Sequence, residues 1–464
     1  MCGVLGILGK MPLSMARELL LLLAHRGQDA AGLLWISGNE YIEAKAMGSP
    51  AFIELPDESP KIILGSTRYP TIGKRVGTEK DLDIFVGPFQ AEQIALTHNG
   101  NITNMAVYAE KDYFTDAQFI TDKLAKYLSE NNNILPDAIR KLSSELDGAF
   151  SIVGIHEGKL FAFRDSRGFK PLVFGRSKDL TVIASESTVH SMIGIDVERD
   201  VYPGELLIFS QDGKLESFSI SQNALHSHCF FEYVYFAHPA TTIENQLVYD
   251  VRFRLGRALA SAFKKMNIET PDYVVPVPDT SRPAAQALAE ALDVPMREII
   301  LKNRYLGRTF IVRTQEERNA MAKSKYIYLT DKIRNKTILV VDDSIVRGTT
   351  AKMIVKDLKG LGASKVYFAA TCPPQDHPCY YGIDISTGKE LIASNSRKEE
   401  IRKYIGADAL IYQDINDLVN AIGLKDLCLA CLDGDYPTEH ARYIQEQLQD
   451  EEESDSRDYE RVIG

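Results

Sequence analysis

The rhythm of hydrophobic and polar positions changes near residue 222. Ahead of it, short apolar runs at Ile62 to Gly65, Ile94 to Thr97, Phe150 to Ile155 and Leu160 to Arg164 alternate with glycines and polar turns, which predicts strands. Residues 117 to 146 carry two helical periodicities, and Glu205 to Phe209 with Leu215 to Ser219 predicts a hairpin across Gln211-Asp212-Gly213. This half reads as layered α and β. The polar stretch Ser221 to His228 marks a domain boundary. Beyond it, Tyr273 to Val277, Thr337 to Val341 and Lys365 to Ala370 are apolar strand cores, each followed by a turn and a helical segment. That alternation predicts a parallel sheet, whose ligands bind beyond the carboxyl ends of its strands.

Composition narrows the classes without changing the picture. The chain has 464 residues, 45% hydrophobic and 25% charged, and no apolar run approaches the roughly 20 residues that span a bilayer. It opens directly on MCGVLGILGK, with no leader pattern, so a cytoplasmic protein is expected. The net charge is −11, and much of it lies in the acidic stretch Asp450 to Glu460, which reads as a frayed helix end without an assigned role. Neither nucleic acid nor a membrane is an expected partner.

The chemistry starts at Cys2. Removal of Met1 would leave one residue bearing both a thiol and a free α-amine. An amine with a pKa of about 8 can take the proton of a thiol near about 8.5, so the nucleophile carries its own base.

The surrounding segments AHRGQDAAG (24–32), GSTRYPTIG (65–73), LTHNGNITN (96–104), ELDGAF (145–150) and FRDSRGFKPL (163–172) follow in the order and spacing of a known domain. Together they resemble the glutaminase domain of the glutamine phosphoribosylpyrophosphate amidotransferases, a family with an N-terminal-nucleophile αββα sandwich. The resemblance implies an oxyanion hole formed by the Asn99 side chain and the Gly100 backbone N–H. It also implies that Arg68 holds the glutamine α-carboxylate and Asp116 its α-ammonium. At Asp116 the chain reads Thr-Asp-Ala-Gln, where the family usually has Ser/Thr-Asp-Ser/Thr-Glu.

ILVVDDSIVRGTT (338–350) is a buried-strand pattern ending in two acids and a loop of small hydroxyl residues. Asp342 and Asp343 suit ribose hydroxyls, directly or through Mg²⁺, and Ser344, Gly348, Thr349 and Thr350 suit a 5′-phosphate at a helix start, with Arg347 expected to help neutralise the departing pyrophosphate. The run resembles the phosphoribosylpyrophosphate motif of type I phosphoribosyltransferases. In PVPDTSRPAA (276–285) the resemblance places Thr280 with the two aspartates at the metal. KNRYLGRTFI (302–311) and the residues up to Lys325 resemble a loop closing over substrate, with Lys325 on the pyrophosphate.

Six cysteines in a chain expected to be cytoplasmic do not make a disulfide scaffold. The pair Cys428 and Cys431 is spaced to ligate one metal centre, either zinc or an iron–sulfur cluster. In the iron–sulfur subgroup of the resembled family, the matching segments give Cys229, Cys379, Cys428 and Cys431 as ligands of a 4Fe-4S cluster. Cys372 is left as a buried thiol. Such a cluster would staple the domains and make the enzyme oxygen-sensitive.

The expected organisation is a glutamine amidotransferase domain at 2–222, a phosphoribosyltransferase domain at 223–440 and an acidic tail at 441–464. The implied reaction hydrolyses glutamine and passes the ammonia to phosphoribosylpyrophosphate, giving phosphoribosylamine, the first step of purine synthesis. The resemblance also implies purine nucleotides as feedback inhibitors and a homotetramer. Ammonia transfer to a sugar phosphate or an aspartyl adenylate is the rival enzymatic reading, and a catalytically idle phosphoribosylpyrophosphate sensor is the rival from another class.

Overall fold

The computed structural model describes residues 2–38, 40–69, 81–221, 225–303, 326–385 and 388–450. Its first half stacks two antiparallel sheets. One has seven strands in the order Val197–Asp200, Val173–Arg176, Thr181–Ala184, Gly3–Leu8, Ile62–Arg68, Ala30–Ser37, Glu40–Met47; the other has six, Leu215–Ser219, Glu205–Phe209, Lys159–Arg164, Gly148–His156, Ile94–Ile102, Phe89–Ala91.

Strand alternation builds three apolar layers from these sheets. Val4, Leu34, Leu64, Val153, Ala162 and Leu207 pack between the sheets. Leu5, Ile7, Leu33 and Ile63 point outward and are covered by the helix Leu13–Leu21. Ile94, Leu96, Ile152 and Phe163 point outward on the other side, under the helices Asp116–Glu130 and Leu135–Glu145. The expected αββα sandwich is what forms.

In the second half, Tyr273–Pro276, Thr337–Asp342, Lys365–Ala370 and Ala409–Tyr412 make a parallel four-stranded sheet. The helices Val248–Lys265 and Arg282–Leu292 bury their apolar stripes on one face, and Thr349–Gly360 and Lys398–Ile405 cover the other. No helix among the described residues is long and apolar enough to cross a membrane.

Two segments fold differently from the sequence expectation. The polar boundary stretch ends in a short strand, His228–Cys229, that pairs in parallel with Leu427–Cys428. The segment expected as a tail from residue 441 begins inside the helix Glu439–Asp450, where Ala441 and Ile444 are fully buried. Apolar residues spaced three apart on an acidic helix give it one face to bury. Residues 451–464 lie outside the described residues.

Candidate functional site: two reaction centres and a nest of thiols

Cys2 precedes the strand Gly3–Leu8, whose register sets Gly3 opposite Thr67 and so brings Cys2 alongside Arg68. Its backbone nitrogen donates to Asn99 Oδ1 at 3.0 Å, while Thr67 Oγ1 accepts the Gly3 N–H and Ser185 Oγ the Val4 N–H. Asn99 is fully buried, and its Nδ2 has no hydrogen-bond partner among the described residues. A buried amide without an acceptor is costly, and it is what a preorganised oxyanion donor needs before substrate arrives. Gly100 follows at φ +154°, where a Cβ would stand 1.8 Å from the Ala149 carbonyl oxygen, so only glycine is accommodated. Asn99→Ala is expected to lower kcat for glutamine hydrolysis by roughly 10²- to 10³-fold. Steady-state glutamate release checks it, and an unchanged kcat would remove Asn99 from the oxyanion site.

Asp116 opens the helix Asp116–Glu130 but does not cap it, because Thr115 Oγ1 accepts the Gln118 N–H. The carboxylate is instead mostly buried, with Oδ1 3.5 Å from His98 Nδ1 and Oδ2 without a hydrogen-bond partner among the described residues. Burial works against its charge, yet His98 and then Arg68 hold its pKa below the usual carboxylate range. The Arg68 guanidinium lies 5.5 Å from the Phe85 ring centroid. An acid and a base fixed side by side near a thiol are complementary to the zwitterionic end of a free amino acid. The structure thus brings Cys2, Arg68, Asn99, Gly100 and Asp116 to one place.

The sequence left Arg26 without a role. Its guanidinium is fully buried and donates to Glu186 at 2.7 Å, to Glu232 at 2.7 and 2.9 Å, and through Nε to the Cys2 carbonyl at 3.3 Å. Glu232 belongs to the second half, so this ion network joins the nucleophile's own peptide to the other domain. Further bridges are Asn101 Nδ2 to the Tyr380 carbonyl at 2.8 Å and the Tyr69 hydroxyl to Asp384 at 3.1 Å. Gly382 lies between them at φ +93°, and a Cβ there would come 3.0 Å from the Gly100 carbonyl oxygen.

At the carboxyl edge of the parallel sheet, Asp342 ends its strand, and Asp342 Oδ1 accepts the Asp343 N–H at 2.9 Å. Burial pushes the Asp343 carboxyl up, and Ser344 Oγ donates to it at 2.9 Å. Gly348 then leads into the helix Thr349–Gly360. The first turn of a helix leaves N–H groups without intrahelical partners, an arrangement suited to an anion. Pairing of Pro276 with Val341 sets the loop carrying Thr280 at the same edge, beside Asp342. In that loop Arg282 and Lys302 bind the Asp279 carboxylate at 2.6 and 3.0 Å. Arg347 makes a 2.5 Å ion pair with Glu390, and both are exposed. Lys325 lies outside the described residues, as do residues 304–324 of the expected closing loop.

Cys229, Cys379, Cys428 and Cys431 line one enclosed, largely apolar cavity with Phe169 and Tyr381. The in-register pair Cys229 and Cys428 comes from the short parallel strands, and Tyr381 N–H donates to Cys379 Sγ at 3.4 Å. Burial, first, and then the neighbouring thiols push the pKa values of Cys428 and Cys431 upward. Lys170 is fully buried, and its Nζ has no hydrogen-bond partner among the described residues. Burial opposes its charge, but Cys229 and Cys379 raise its pKa above the lysine value. Cys372 is buried elsewhere, its N–H donating to the Asp343 carbonyl at 2.8 Å.

Comparison with known proteins agrees with this two-centre arrangement. A glutamine amidotransferase domain model matches residues 83–190, and a phosphoribosyl transferase domain model matches residues 251–400. An amidophosphoribosyltransferase of Methanothermobacter thermautotrophicus is 38% identical over 456 residues, covering 94% of each chain. A solved glutamine phosphoribosylpyrophosphate amidotransferase from B. subtilis, complexed with ADP and GMP, superposes with a TM-score of 0.84 at 34% identity, covering 95% of this chain and 98% of that one. A second solved structure, described as the allosteric regulatory enzyme of purine biosynthesis, gives a TM-score of 0.85 at 34% identity over 94% and 96% of the two chains.

Proposed function

The chain belongs to the amidophosphoribosyltransferase family, and from that premise we propose which of its residues carry each half of the reaction. Its activity is the first step of purine biosynthesis, in which glutamine and phosphoribosylpyrophosphate yield phosphoribosylamine. The observation that carries the assignment of the first half is the contact of Cys2 N with Asn99 Oδ1, beside an Asn99 Nδ2 that has no partner among the described residues.

With Met1 removed, the Cys2 amine takes the thiol proton and the sulfur attacks the glutamine amide carbon. Asn99 Nδ2 and the Gly100 N–H stabilise the oxyanion, while Arg68 and Asp116 hold the α-carboxylate and α-ammonium. The same amine returns the proton to the leaving ammonia, and water then hydrolyses the thioester to glutamate. At the second centre, the first turn after Gly348 seats the 5′-phosphate, and Asp342 and Asp343 hold the ribose hydroxyls. Ammonia attacks the ribose C1 carbon as pyrophosphate leaves. Thr280, Asp342 and Asp343 fit Mg²⁺, which when bound neutralises charge on the pyrophosphate, and Lys325 and Arg347 would add to it. The test is glutamate and pyrophosphate release with each substrate alone and with both; unstimulated glutamate release without pyrophosphate would overturn the assignment.

The four thiols fit a 4Fe-4S cluster better than zinc. Among the described residues no three of these sulfurs lie within 4.8 Å of one another, whereas zinc bonded to four thiolates at about 2.3 Å needs sulfurs about 3.8 Å apart. A cluster bound by four thiolates adds negative charge to a dry cavity, and Lys170 supplies a buried positive charge beside it. From Cys379 the chain runs directly through the Tyr380 carbonyl, Gly382 and Asp384 to the glutamine site. Loss of the cluster in air should therefore cost glutamine-dependent activity. The expected result is about four irons per chain after anaerobic purification, with colour and activity lost together on exposure to air; bleaching at constant activity would contradict it. Purine nucleotides acting as feedback inhibitors, a homotetrameric assembly and a cytoplasmic location complete the reading.

A further inference from the structure

We propose that His226, His228 and Asp426 form a surface site for a divalent transition metal of the zinc class, separate from both reaction centres and from the four thiols. One ligand atom from each of the three residues lies within 4.8 Å of the others. Asp426 Oδ2 is 3.0 Å from His226 Nδ1 and 3.8 Å from His228 Nε2. These are the spacings of a three-ligand site that closes slightly around an ion held at about 2.0–2.2 Å.

Three features distinguish this group from an ordinary surface ion pair. His228 is buried, and its Nδ1 lies 3.0 Å from the Gly168 carbonyl and 3.3 Å from the Arg164 guanidinium, which can only donate; in the tautomer that donates to the carbonyl, the Nε2 lone pair faces Asp426. Such a carbonyl behind a histidine is the usual outer support of a metal-binding imidazole. The neighbouring Arg164 charge is matched by Glu244 at 2.6 Å, so it does not cancel Asp426. The backbones are also fixed, since His228 N–H donates to the Asp426 carbonyl at 2.9 Å and the following residues pair as parallel strands. Two imidazoles and one carboxylate suit zinc and leave a fourth position for water.

His226 is exposed, which gives the ion a route in from solvent. The bound ion would clamp the strand carrying Cys229 against the strand carrying Cys428.

The test is equilibrium dialysis of the anaerobically purified full chain against buffered Zn²⁺, with metal counted per chain and zinc-edge X-ray absorption on the product. One zinc per chain is expected with a nitrogen and oxygen shell at about 2.0–2.2 Å. His226→Ala and Asp426→Asn should each weaken binding at least about 10-fold, as loss of a ligand requires. A sulfur shell at about 2.3 Å would mean that the thiols take the zinc, and equal affinity in both variants would mean that these three residues do not; either result overturns the site.

Discussion

Cys2→Ser should cut glutamine-dependent phosphoribosylamine formation by at least about 10³-fold while leaving synthesis from ammonium ions largely intact. In the proposed mechanism the thiol is the attacking atom at the first centre, and a serine hydroxyl is too weak an acid for the neighbouring α-amine to activate to the same extent. The second centre lies at the edge of a different sheet, with Asp342, Asp343 and the Gly348 turn untouched by the change. Serine is nearly isosteric, so the Cys2 N to Asn99 contact should survive. Pyrophosphate release with glutamine and with ammonium chloride, measured side by side, separates the two centres. Equal losses with both nitrogen sources would show that the centres are not separable in this way. Intact-mass measurement of the same samples also tests removal of Met1, on which the free amine depends.

Arg26→Met is expected to destabilise the chain by about 3–5 kcal/mol, because it leaves two buried carboxylates without their shared partner. Glu186 and Glu232 are almost completely buried, and both bind Arg26 at 2.7 Å. Burial works against the Glu186 charge, but His25 and Arg26 hold its pKa far below the ordinary value of 4.5. The sign for pH follows directly. A carboxylate depressed on folding contributes stability that is complete above its unfolded pKa, and this contribution is lost as pH falls toward the folded one. The parent chain should therefore lose stability progressively below about pH 4.5, and Arg26→Met should lose less over that range because it has less to lose. Urea unfolding of both chains at several pH values checks this. Adding Glu186→Gln and Glu232→Gln to Arg26→Met should recover part of the loss through the coupling energy. Unfolding midpoints equal to the parent would refute a structural role for this network. The functional side of the change is equally specific, since Arg26 Nε also donates to the Cys2 carbonyl.

Much of this was legible along the chain, for a physical reason in each case. Strand alternation and helical periodicity report burial locally, so the hairpin Glu205–Phe209 with Leu215–Ser219 and the strand at Lys365–Ala370 appear at their expected bounds. Cys2, the Asn99-Gly100 pair and the run from Asp342 to Thr350 are contiguous or terminal features whose chemistry needs neighbours in sequence. Cys428 and Cys431 declare a shared site by their spacing alone.

What the sequence could not convey depends on residues brought together from distant positions. Arg26 with Glu186 and Glu232, Asn101 with the Tyr380 carbonyl, and Lys170 beside Cys229 and Cys379 each join positions tens to hundreds of residues apart. No local pattern marks an arginine as buried, because its partners Glu186 and Glu232 lie 160 and 206 residues away, the second of them in the other domain. The parallel pairing of His228–Cys229 with Leu427–Cys428 is of the same kind, turning a polar boundary stretch into part of the thiol nest and gathering His226, His228 and Asp426. The sequence by itself therefore determined the two folds and picked out Cys2 and the Asp342–Asp343 pair as the candidate reactive groups, since periodicity and short motifs are local. Only the tertiary structure decided how the two centres are joined, because burial of charge and convergence of ligands are properties of packing between segments.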